Sequence, residues 1–245
     1  MESGGQPTSV SPQAVAFRRV AWVCLATALA HTVAVLLGVF AIRDGNLGDL
    51  SPLRLMQFIP QHIILWRSVW LASAVASLSF AVFAVAYCQL VDRRYRAATA
   101  VALIFVTVAL TNDLNGQFSM MVLFSDLAYQ MRGHGSFLQH ETAQLAWSTM
   151  NQALTQCVLI ANTLYGFAGF IISLSAMATR SFPKWIALVG LPIWFVMLSV
   201  SVLSFLGALK SALVLLLAVT VAFVLWTMVM GYVLRHSGPA AEPHA

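Results

Sequence analysis

The residues able to do chemistry in this chain gather where an apolar sequence should exclude them. Thr111-Asn112-Asp113-Leu114-Asn115-Gly116-Gln117 puts one carboxyl and three side-chain amides into the middle of an otherwise apolar run. A second group of amides, Asn151, Gln152 and Gln156, sits in another such run, and His31 lies near the middle of a third. A carboxyl beside amides can hold a proton, an ion or a small polar ligand. A histidine in a span can relay protons or ligate haem or a metal. Without a partner, an ionised Asp at membrane depth costs about 2.5–3.5 kcal/mol on insertion scales. Asp113 is therefore expected to face the interior of a bundle, to be protonated, or to pair with a cation. Arg67 is the candidate cation, with His31 as another, and Asn112, Asn115, Asn151, Gln152 and Gln156 are candidates for one hydrogen-bonded network beside Asp113.

The elements that carry these residues are six long apolar stretches, near residues 20–42, 68–91, 97–123, 146–178, 185–205 and 211–234. Roughly 20 residues of helix cross the 30 Å core of a bilayer. The chain is 60% hydrophobic and 9% charged, with a mean hydropathy of +0.84, against about 25% charge in a soluble domain. The expected fold is all-α, an integral membrane six-helix bundle whose solvent is the lipid bilayer. Residues 18–236 form the transmembrane domain. Residues 1–17 and 237–245 are polar, rich in Ser, Pro and Gly, and expected to be disordered tails. Arg18 and Arg19 directly precede a full-length span, so the first helix reads as retained, not as a cleaved signal.

Between spans one and two, Ser51-Pro52 resembles a helix start. The segment to Trp66 alternates Leu53, Met56, Ile59, Ile63 and Ile64 with Arg54, Gln57, Gln61 and His62. An interfacial helix is expected there, bent at Pro60 and lying over the outer face as a lid.

The basic residues set orientation. Arg18, Arg19, Arg93, Arg94, Arg96, Arg180, Lys184 and Arg235 fall on the side of the termini; Arg43, Arg54, Arg67, Arg132 and Lys210 fall on the other. The excess predicts a multi-pass protein of the cell membrane with both termini cytoplasmic. The net charge of +5 thus belongs to helix ends, forms no stripe, and does not point to nucleic acid. Asp113 lies 16 residues beyond Ala97, about 24 Å along the helix and in the outer half of the membrane.

Reactive constellations with recognisable spacing are lacking in the sequence. Cys24, Cys88 and Cys157 fall in three different stretches without metal-ligand spacing and read as small packing residues. His134, His140 and Glu141 stand in an outer loop at a spacing that is not that of a helical zinc site. A bis-histidine haem needs a partner for His31 at matching depth, and His62 lies at a helix edge. No cofactor is expected. Ser73 and Ser77 form a small-residue stripe that allows close helix approach, and the two halves of the chain show no internal repeat.

The segment Tyr165-Gly166-Phe167 through Arg180-Ser181-Phe182-Pro183-Lys184-Trp185-Ile186-Ala187-Leu188-Val189-Gly190 resembles the DUF4386-type family of uncharacterised bacterial multi-pass membrane proteins. In that family a glycine-containing span leads through a short basic turn into a Pro-Lys/Arg helix start. The resemblance covers some 30 residues and the six-span layout. It implies a bacterial inner-membrane protein but brings no activity, substrate or site residue.

Three functional classes follow. The favoured expectation is a non-enzymatic accessory or sensory component whose polar cluster orders the bundle. The alternative is a small-solute or proton-coupled carrier with an outward cavity around Asp113. The weakest is a membrane redox or lipid-modifying enzyme using His31 or His62. A small polar ligand or a proton is the candidate partner, and homo-oligomerisation stays open.

Overall fold

Every backbone polar group in lipid must be satisfied within its own segment, and long helices do this. In the computed structural model, which describes residues 12–45, 56–133 and 136–236, long α-helices make six candidate spans. Helix α1 is Pro12–Gly45 and α2 is Ile63–Gln89. Helix α3, Arg96–Phe118, runs through a π-helical turn, Ser119–Leu123, into α4, Phe124–Gly133. Helix α5, Ser136–Leu154, runs through a second π turn, Thr155–Ala161, into α6, Asn162–Met177. Helices α7, Lys184–Phe205, and α8, Leu209–His236, complete the chain. Large apolar side chains such as Trp22, Leu29, Ile104, Phe195 and Leu225 are exposed on the outside of the bundle, the surface that lipid covers. The protein is a multi-pass membrane protein with an all-α, six-span bundle.

The boundaries differ from the apolar pattern in physically sensible ways. Helix α1 begins at Pro12, inside the stretch expected to be disordered, and buries Phe17. Residues 1–11 and 237–245 lie outside the described residues. The third and fourth spans reach 39 and 37 residues, nearly twice the number a bilayer core needs. Helix α4 and the first turns of α5 therefore project on the loop side, where they pack against each other.

The segment between spans one and two is described from Met56, so Ser51 to Leu55 lie outside the described residues. It is helical to Gln61, with a 3-10 turn at Ile59–Gln61, and breaks at His62 (φ −129°, ψ 36°) before α2 starts at Ile63. The break falls two residues beyond Pro60, so the separate segment ends at His62 and Trp66 belongs to α2. Met56, Ile59 and Pro60 are buried while Gln57, Gln61 and His62 are exposed, and the turn packs on α4.

The six spans form a ring in chain order. Helix α1 packs on α2, α2 on α3, α3 on α6, α6 on α7, α7 on α8, and α8 returns to α1. Gly207, at φ +78°, makes the short turn from α7 to α8, a conformation that side chains resist. On the side of the termini, Asp92 N–H donates to Thr179 Oγ1 at 3.0 Å and Arg94 Nη2 to the Ala178 carbonyl at 2.6 Å. These bonds tie the turn after α2 to the end of α6.

Within the ring, the half nearer the termini is filled by aromatic rings. Phe80, Phe83, Tyr165, Trp194, Phe223 and Trp226 are all buried. Their neighbouring centroids lie 4.7 to 6.0 Å apart, the spacing of favourable aromatic pairs. The indole N–H groups are satisfied: Trp194 donates to Ser173 Oγ (2.9 Å) and Trp226 to the Ile186 carbonyl (2.8 Å).

Candidate functional site: a polar cavity around Asp113

Above this aromatic plug the ring encloses polar residues. Ser77 lies 14 residues into α2 and Thr220 lies 11 residues into α8, about 21 and 17 Å from the loop-side ends of those helices. Asp113 of α3 is at this level and is 9% exposed. A cavity of about 270 Å³ runs from it along Gln117, Ser73, Trp70, Cys157, Asn162, His31 and Thr220. A deeper cavity of about 90 Å³ shares Asp113, Ser77, His31, Asn162 and Thr220 and reaches Phe80, Tyr165 and Phe223. The larger one extends toward Val35, Trp70 and Leu213, each on the loop-side half of its helix. The site thus extends toward the loop side and is backed by the aromatic plug toward the termini.

The carboxyl is held on both oxygens. Gln117 Nε2 donates to Asp113 Oδ1 at 2.8 Å and to Ser77 Oγ at 3.0 Å. Ser77 Oγ is 2.6 Å from Asp113 Oδ2 and Tyr165 OH is 3.5 Å from the same oxygen. The Cys157 thiol donates to the Asp113 main-chain carbonyl at 3.4 Å. Among the described residues no cation forms an ion pair with Asp113; the ion pairs described there are Arg67–Asp126 and Arg94–Asp92.

The Ser77 hydroxyl gives this arrangement a chemical capacity. It has one hydrogen and two acceptors in range, Asp113 Oδ2 at 2.6 Å and the Ser73 carbonyl at 3.0 Å. With Asp113 ionised, Ser77 donates to the carboxylate. With Asp113 protonated on Oδ2, the acid donates to Ser77 Oγ and the serine hydrogen turns to Ser73. Both protonation states are fully hydrogen-bonded in one side-chain geometry. The carboxyl can therefore gain or lose a proton without the bundle moving.

Helical periodicity sorts the sequence candidates. Asp113 and Gln117, four residues apart, share the inward face of α3. Asn112 is half-buried, and its Nδ2 donates to the Val108 carbonyl of its own helix (2.9 Å). Asn115, on the opposite side, donates to Gln156 Oε1 (3.0 Å), bridging α3 to the second π turn. Asn151 is half-buried and Gln152 exposed, just loop-ward of Leu154, which lines the cavity. Arg67 reaches outward to Asp126 at 3.9 Å with both side chains half exposed, a contact worth at most about 1 kcal/mol. His31 does line the cavity, with Nδ1 2.9 Å from the Thr27 carbonyl and its ring edge-on to Phe223. His62 stacks on Phe58 at the loop-side start of α2, a different depth from His31. His134 lies outside the described residues, as does the side chain of His140.

Ser77, Cys157, Tyr165, Asn162 and Thr220 are site members that the sequence does not single out. Gln117 carried a usable signal, its i+4 spacing from Asp113. Ser77 was legible only as a small residue, because the rotation of α2 in the ring decides whether it meets lipid or the lumen. The span-four groups that reach Asp113 are the thiol and the phenol, because the π turn at Thr155–Ala161 shifts the inward face. Gly116 lets this crossing close: a Cβ there would lie 2.7 Å from the Ala153 carbonyl and would also meet the Cys157 sulfur. The other π turn is secured by Trp66, whose Nε1 donates to the Met120 carbonyl at 2.9 Å. Such turns loosen the regular hydrogen-bond ladder and recur at functional sites.

Fold and site together define a six-span helical membrane protein with a carboxyl-centred lumenal cavity. Comparison with protein-family models, with curated proteins and with solved structures finds no match.

Proposed function

We propose that this protein is a membrane carrier that loads a small polar solute into the Asp113 cavity from the face opposite its termini. One observation carries the reading: a buried carboxyl without a cation partner among the described residues lines a cavity that extends toward the loop side and is backed by packed aromatics toward the termini. Ion-free structural glue would more economically fill that space with side chains, since interiors are close-packed. The two-state Ser77 hydrogen bond supports proton exchange at the same carboxyl. An accessory or sensory role, in which the cluster only orders the bundle, leaves the cavity without a task. Kinship with the DUF4386-type family is proposed on residues 165–190 alone.

The native Cys157 reports on this reading because it lines the larger cavity. In a Cys24→Ala, Cys88→Ala background, a membrane-impermeant thiosulfonate is expected to modify Cys157 rapidly from the loop side. A carrier must also expose the cavity in turn to the other side, so slower modification is expected in vesicles of opposite orientation. No modification from either side would remove the cavity. Modification from one side alone would make the site a receptor, not a carrier.

We also propose that both termini are cytoplasmic, from the eight-to-five excess of Lys/Arg on their side. A reporter active only in the cytoplasm, fused after Ala245, should give signal. Activity there from a reporter that works only outside would reverse the orientation.

A further inference from the structure

The hydrogens on the cavity wall are already committed. Ser73 donates to the Val69 carbonyl (3.0 Å), Thr220 to Leu216 (2.7 Å) and Asn162 Nδ2 to Val158 (3.0 Å). His31 Nδ1 faces the Thr27 carbonyl at 2.9 Å. A carbonyl can only accept, so Nδ1 carries the hydrogen and a neutral ring presents Nε2 as an acceptor. Gln117 directs Nε2 to Asp113 and Ser77, and its Oε1 is buried without a partner. What remains for a ligand is mostly lone pairs: the Asp113 carboxylate, Asn162 Oδ1 and the hydroxyl oxygens. An unspent donor on this wall is the second N–H of Asn162.

From this we infer that the solute is a small protonated amine, a primary ammonium on a short apolar body. The inference rests on the carrier reading above and names its substrate class. An ammonium brings a positive charge to the unpaired carboxylate and three N–H donors to a wall of acceptors. An anion would meet the carboxylate, and a neutral alcohol would bring one donor. The deep end of the site is built from Phe80, Tyr165 and Phe223, which take an alkyl body and whose π faces attract a cation. A bare metal ion calls for a tight shell of oxygens at about 2.3–2.6 Å, which a cavity of about 270 Å³ does not close around.

The test uses the full-length protein purified in detergent at pH 8, with thermal unfolding followed at constant ionic strength. The probes are n-butylammonium, tetramethylammonium, sodium ion, 1-butanol and butyrate. Butylammonium is expected to raise the melting temperature saturably, and tetramethylammonium, lacking N–H, to act more weakly. Sodium, butanol and butyrate should give no saturable shift. Asp113→Asn should weaken the butylammonium response at least about 30-fold, as loss of one partner of a buried charge pair does. The same contrast is expected in the unsubstituted site as protection of Cys157 from thiol reagents by butylammonium but not butyrate, so a poorly folding variant does not block the test. Equal shifts with sodium, or any saturable response to butyrate, would overturn the amine. If Cys157 is accessible as described and butylammonium neither stabilises nor protects, the substrate class fails while the carrier reading stands. If Cys157 is inaccessible from both sides, the carrier reading itself fails.

Discussion

Asp113→Asn is expected to leave the bundle folded and to abolish solute loading, whereas Asp113→Ala should cost about 1–3 kcal/mol of stability. The difference follows from hydrogen-bond accounting. An asparagine at this position keeps an oxygen to accept from Gln117 Nε2, now 2.8 Å from Oδ1. Its NH₂ takes the place of Oδ2 and donates to Ser77, whose own hydrogen turns to the Ser73 carbonyl. The amide thus mimics the protonated acid, with the charge gone. Alanine leaves the Gln117 amide buried without its carboxyl acceptor, and buried polar groups without partners cost more than the bond they lose. Melting curves of both variants in detergent decide the matter. If Asp113→Asn unfolds as readily as Asp113→Ala, the carboxyl's charge is structural and the protonated geometry is not accessible.

The second large effect belongs to the plug. A Cβ added at Gly169 would run into the six-membered ring of the Trp194 indole. Trp194 is 1% exposed and hemmed in by Phe80, Phe223 and Trp226, so it has nowhere to move. Gly169→Ala is therefore expected to destabilise by about 1–3 kcal/mol, the usual cost of overpacking. Trp194→Phe gives up the bond to Ser173 and leaves space, and it costs something by itself. Together the two changes should cost less than their sum, because the smaller ring makes room for the methyl. Thermal unfolding of the two single variants and the pair measures this; strict additivity would mean that Gly169 and Trp194 do not compete for the same volume. The Gly169→Ala plug is also expected to leak, with Cys157 becoming more reactive from the side of the termini.

The parts of this molecule visible in one dimension are those that depend on solvent and on helix repeat. Six stretches too apolar for water and long enough for lipid could only become spanning helices, and they did, from α1 to α8. Pro183-Lys184 opened α7 where a proline helix start and a basic turn require it. The polar break beyond Pro60 was legible for the same local reason, though the hinge settled at His62. Asp113 stood out because a carboxyl in an apolar run needs an explanation whatever the fold.

Its partners on other helices were not visible, because they depend on how each helix is rotated about its axis. The amides Asn112 and Asn115 flank Asp113 in sequence but lie about 100° and 200° around α3 from it. Asn151 and Gln152 precede Leu154, where span four begins to line the cavity, and so stop just short of it. Two π turns, which no apolar pattern announces, shifted which residues of spans three and four face inward. Ring closure of α8 on α1 then brought Thr220 and His31 to the level of Asp113. Helix identity came from the chemistry of side chains against lipid, while the site came from helix phase and register, set by close packing at positions such as Gly116 and Gly169.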